Sequence, residues 1–71
     1  MDFPVKGEHI ELVKLLKVVG FFPSGGEAKM AVAASQVKVN GEVELRKRRK
    51  LVVGDRIEVQ GEGVRLVEYP K

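Results

Sequence analysis

The apolar positions of this chain change period once. From Glu8 to Val19, Ile10, Val13, Leu16 and Val19 recur at three-residue steps, with Leu12 and Leu15 beside them. Glu11, Lys14 and Lys17 fall on the other side, so the spacing predicts a helix with one wide apolar face. Gly20 supplies its stop, because glycine takes up the left-handed backbone that ends helices. Phe21-Phe22-Pro23 bridges to a second helix. Ser24 is a good N-cap there, and Glu27 three residues later completes the pattern of a capping box. Ala28, Ala31 and Val32 share one face, and their small size allows close packing on the first helix. Gly25 and Gly26 stand in the first turn although they are poor helix formers.

After Ser35 the period becomes two. Val37 and Val39 alternate with Gln36 and Lys38, as in a half-buried strand. Asn40-Gly41 is the strongest short hairpin signal, since both residues accept positive φ in a type I′ turn. Val43 and Leu45 give the returning strand. A Gly54-Asp55 turn leads into Arg56-Ile57-Glu58-Val59-Gln60. A Gly61-Glu62-Gly63 turn precedes a last strand, Val64 to Glu68. Helices first and strands afterwards indicate an α+β class. Residues 1–7, with Pro4 and Gly7, read as a flexible lead-in, and residues 8–71 as a single domain.

Composition narrows the options. At 71 residues the chain holds one domain at most. It has no Cys, so disulfides and thiolate chemistry are excluded. Hydrophobic residues make up 44%, enough for a core. No apolar run approaches the roughly 20 residues that span a bilayer, and no signal-peptide pattern opens the chain. A cytoplasmic monomer with no membrane attachment is the expectation.

Charge adds the main functional pointer. Arg46-Lys47-Arg48-Arg49-Lys50 places five cations in a row. The formal net charge is +3, yet outside this run 8 Lys and Arg face 10 Asp and Glu. The basic character is therefore local, the footprint of a polyanion binder. Solvated charge runs are also common, and that bland reading competes with it. An apolar core face cannot absorb alternate cations, so the run is expected as a wet bend or loop. Arg adds bidentate phosphate contacts. Phe21 and Phe22 sit between the helices and cover the core, so stacking of bases on a strand is not favoured. Backbone and shape readout of structured RNA fits better. The start of the second helix, with free N–H groups at Gly25 and Gly26 and with Lys29 one turn on, has the makings of an anion site. An ordinary capping box with two tolerated glycines explains the same residues equally well.

Catalytic readings run out. His9 is the one histidine and reads as a surface residue. Asp55 reads as a turn residue. Glu42 and Glu44 lie two apart on a predicted strand but have no base or nucleophile beside them. No metal-ligand spacing exists. The expectation is a non-enzyme with no catalytic residues, no cofactor and no metal.

The order of these pieces resembles the S4-type RNA-binding domain. The matching residues are Leu15-Leu16, Ser24 to Lys29, Val37-Lys38-Val39-Asn40-Gly41 and Gly54-Asp55-Arg56-Ile57. More narrowly the chain is similar to the small free-standing bacterial YbcJ-type S4-like proteins. The carrying segments are Glu11 to Lys17, Ser24 to Lys29, and Gln36 to Glu44 continuing through Arg46-Lys47-Arg48. The resemblance implies an αL-type fold, two helices packed on a small, mostly antiparallel sheet. It implies binding of structured RNA, ribosomal or tRNA-like, with possible ribosome association. By position it implies contacts from Ser24, Gly25, Gly26 and Lys29, extended by Lys38 and by Arg46, Lys47, Arg48, Arg49 and Lys50. Two departures stand out. Gly25 follows the capping Ser where many S4 domains carry Arg, and Ser35-Gln36 precede the V-x-V-N-G strand where many carry Gly. The other class of function is a protein-interaction module whose basic run docks an acidic or ribosome-associated partner.

Overall fold

The structure is a computed structural model and describes residues 1–70. In chain order the elements are β1 (Asp2–Val5), β2 (Ile10–Glu11), α1 (Leu12–Val18), α2 (Gly25–Ala33), β3 (Val37–Val39), β4 (Glu42–Val43), β5 (Lys50–Leu51), β6 (Arg56–Val59) and β7 (Glu62–Glu68). The main sheet runs β1-β7-β6-β3-β4, and β2 with β5 forms a separate two-stranded piece. All pairings are antiparallel except β1 with β7. One sheet face carries Val37, Val39, Ile57, Val59, Val64 and Leu66, all buried. They form one core with Leu12, Leu15 and Leu16 of α1 and Ala28, Ala31 and Val32 of α2. This is the α+β arrangement expected, with Phe21 and Phe22 packed against the core.

Three expectations need correction. Residues 1–7 are not a loose lead-in. Asp2–Val5 pair in parallel with β7, from Asp2↔Arg65 to Val5↔Glu68. Alternation turns Phe3 and Val5 inward, and Val5 is buried. Two inward residues around a proline give too short a period-two signal to read in advance, and an edge strand tolerates Pro4. Helix α1 is also shorter than its periodicity predicts. Ile10 and Glu11 leave the helix to pair with Leu51 and Lys50, because that ladder fastens the basic segment to the body. Finally, the returning strand is shorter than expected: β4 ends at Val43 without Leu45, and Val43 and Leu45 both point away from the core. They are 48% and 58% exposed.

The turn explains that last point. Asn40 and Gly41 have φ of 53° and 87°, and a two-residue turn pairs Val39 with Glu42 and Lys38 with Val43. The Glu44 N–H donates to the Val37 carbonyl. Since Val37 and Val39 point inward, Glu42 and Glu44 must share their face, and Val43 and Leu45 go outward with Lys38. The same turn is clasped from β6. The Asn40 side chain donates to Asp55 Oδ1 at 3.0 Å and accepts from the Arg56 N–H at 2.9 Å. Asp55 Oδ2 accepts from the Val52 N–H. The V-x-V-N-G and G-D segments are thus two halves of one hydrogen-bonded corner.

Both helices end alike. The Gly20 N–H donates to the Lys17 carbonyl and the Phe21 N–H to that of Leu16, a Schellman ending with Gly20 at φ 85°. After α2, the Ser35 N–H donates to Val32 and the Gln36 N–H to Ala31. Here Ser35 occupies the left-handed position at φ 61°, a conformation that costs an L-residue about 1 kcal/mol or more. Ser35→Gly should therefore stabilise the domain by about 0.5–1 kcal/mol, and Gly20→Ala should destabilise it by a similar amount. Denaturant midpoints of the two variants check both signs.

Candidate nucleic-acid interface

The basic segment is held by its backbone before its side chains do anything. The first N–H groups of a helix have no partner within it, and Glu11 at the N-cap of α1 makes no side-chain cap. The chain from Arg46 to Lys50 fills that need. The Leu12 N–H donates to the Arg49 carbonyl at 2.9 Å, and the Val13 N–H to the Lys47 carbonyl at 3.1 Å. With Lys50 and Leu51 paired to Glu11 and Ile10, the segment lies across the start of α1. It is a bend bordered by one short strand, as expected of a run too polar for the core.

Side-chain contacts then set its shape. Glu44 is only 7% exposed, turned inward by the hairpin register. Its carboxylate accepts from the Arg46 guanidinium (Nη2 to Oε1, 2.9 Å) and the Arg46 N–H, and from Arg49 Nη1 at 2.8 Å. Arg46 holds this carboxyl well below its ordinary value, at about 2, helped by its own N–H and by Arg49, while burial opposes the shift. Arg48 Nε bonds Glu11 Oε2 at 2.9 Å, and that contact lowers the Glu11 carboxyl as well. Arg46, Arg48, Arg49 and Lys50 line one open depression of about 590 Å³. Lys47 is exposed beside it.

The start of α2 comes close through Val13. A Cβ built on Gly25 would stand 4.0 Å from Val13 Cγ1, and the Val13 N–H is the one bonded to Lys47. Gly25 and Lys47 thus flank the same residue. Ser24 caps α2, its hydroxyl accepting from the Glu27 N–H at 3.2 Å. The Ser24 half of the capping box forms; no bond from the Glu27 carboxylate back to Ser24 occurs among the described residues. Gly26 and Lys29 are exposed on the first turns. Lys38 is placed differently. It is exposed on the outer face of the sheet, between Val43 and Glu58, away from the helices. Sequence reasoning set aside Glu44 once catalysis was excluded and so missed its structural part. The signal was there: an acid on a predicted strand, with Arg two and five positions on.

The pH response of Glu44 is testable. A carboxyl depressed in the folded state adds stability above its ordinary value, 4.5, and that contribution disappears as pH falls toward 2. Glu44→Gln should lower the thermal midpoint at pH 7, and the gap to the parent chain should close between about pH 4.5 and pH 2. Thermal scans of both proteins across that range measure it.

Comparison with known proteins bears on the family and the fold. The chain is 48% identical over 62 residues to YbcJ of Escherichia coli (strain K12), covering 87% of this chain and 89% of that protein. It is 43% identical over 56 residues to RlbA of Bacillus subtilis (strain 168), named a probable ribosome maturation protein, covering 79% of each. The solution structure of E. coli YbcJ, described as revealing an αL motif involved in RNA binding, superposes with a TM-score of 0.71 at 46% identity, over 93% of this chain and 85% of that one. The S4 domain model matches residues 3–67. With that match over nearly its whole length, the chain belongs to the S4 domain family.

Proposed function

We propose that this protein binds structured RNA without catalysis, through one surface made by the start of α2 and the basic segment. Ser24, Gly25, Gly26 and Lys29 present backbone N–H groups and a cation to phosphates. Arg46, Lys47, Arg48, Arg49 and Lys50 neutralise neighbouring phosphates. The observation that carries this reading is the fastening of residues 46–50 to the α1 N-terminus, beside Gly25. A solvated charge run has no reason to be held at both its backbone and its carboxylate partners. Pre-ordering of the Arg side chains by Glu44 and Glu11 lowers the entropy lost on binding. The αL motif of the E. coli relative and the name of the B. subtilis relative support RNA, and stable ribosomal RNA in particular. Lys38 lies outside this surface.

If about four or five phosphates are engaged, log affinity falls against log salt with a slope of roughly −3 to −5. The cleanest variant leaves Glu44 with its partners. Lys47→Gln with Lys50→Gln removes two cations that make no ion pair among the described residues. The double variant should bind a folded RNA at least about ten-fold more weakly and reduce the slope by about two. Fluorescence anisotropy at several salt concentrations reads both quantities. Unchanged affinity and slope would refute the assignment.

A further inference from the structure

A second surface opens on the far side of the Arg48–Glu11 ion pair. Phe3, Lys6, His9, Lys14, Val18 and Tyr69 line much of a cleft of about 610 Å³, between β1, α1 and the residues after β7. That size suits a single organic group. Glu11 also lines it and reaches out of it to Arg48, which lines the depression of the basic segment. The two surfaces therefore adjoin at one ion pair.

The lining has two kinds of chemistry. Tyr69 is 52% exposed, and Lys6 Nζ stands 5.9 Å from its ring centroid. Phe3 brings a second ring, half-buried against the core. Lys6 and Lys14 bring positive charge. Glu11 is the cleft's one carboxylate among the described residues, and it is engaged by Arg48. A wholly apolar groove would suit a hydrophobic peptide. Aromatic rings flanked by cations suit a ligand that is flat and anionic at once.

We propose that this cleft takes an unpaired nucleotide of the same RNA whose folded part lies on Arg46–Lys50. The inference rests on the RNA-binding reading above. The base stacks on Tyr69, which accepts any base because every base has a π-face. Lys14 and Lys6 meet the phosphates of the strand as it leaves the basic segment. The preferred ligand is then a folded RNA with a single-stranded extension, rather than a blunt one.

Tyr69 is the chain's one tyrosine and there is no tryptophan, so intrinsic fluorescence reports on this cleft alone. The full chain is titrated with a blunt RNA hairpin and with the same hairpin carrying a short unpaired extension. The extended RNA should bind about ten-fold tighter and quench Tyr69. Tyr69→Ala should erase that gain and leave blunt-hairpin affinity unchanged, while Tyr69→Phe should keep it. Lys14→Gln should lower the salt slope for the extended RNA alone, by about 0.7. Equal affinity for the two hairpins, or a gain that survives Tyr69→Ala, overturns the inference while the RNA-binding reading stands. Failure of both hairpins to bind overturns both. Saturation of the Tyr69 signal by an acidic, leucine-rich peptide, with no response to the extended RNA, would assign the cleft to a protein partner and overturn the inference.

Discussion

A two-residue turn decides where the charges of this protein go. Asn40 and Gly41 both adopt positive φ, which fixes the β3–β4 register and sends Glu44 to the core side of the hairpin. A one-residue slip would turn Glu44 to solvent and bring Leu45 inward. The inward carboxylate then captures Arg46 and Arg49. The segment that follows is left running across the open N-terminus of α1, where its carbonyls satisfy the first helical N–H groups. Register, ion pairs and helix capping are successive consequences of one turn.

The same chain of causes reconciles a basic surface with a very small fold. A domain of this length buries only about 60% of its unfolded surface, so it has little stability to give to a strained or repulsive loop. Five adjacent cations repel one another. Glu44 and Glu11 offset that repulsion from within, and they leave Lys47 and Lys50 without ion pairs among the described residues. The arrangement keeps the cations together and still leaves most of their side chains in water.

Much of this was legible in the sequence, for identifiable reasons. Period-three and period-two patterns placed both helices and the inner strands, because Leu15, Leu16, Val37 and Val39 meet one core. Gly20 and Ser24 marked helix ends that the backbone confirms. What escaped was set by contacts between residues far apart in the chain. Ile10 and Glu11 continue a helical pattern perfectly well, yet pairing with Leu51 and Lys50 takes them out of the helix. Asp2–Val5 form a strand only because β7 lies beside them. Val43 and Leu45 were expected to form the returning strand, but β4 holds only Glu42–Val43, and the hairpin register turns Val43 and Leu45 outward. At the site, the sequence marked the cations and the helix start. Of the carboxylates that arrange those cations, Glu44 stands two and five positions from its Arg partners, whereas Glu11 was visible only once the fold brought it to Arg48 across 37 positions.

The central claim is that the start of α2 and residues 46–50 act as one surface toward RNA. Amide chemical-shift mapping during titration with a folded RNA tests it most directly. The expected shifts cluster at Gly25, Gly26 and Lys29 and along Arg46 to Lys50. Shifts confined to the outer sheet face, at Lys38, Arg56 and Arg65, with the basic segment unmoved, would contradict it.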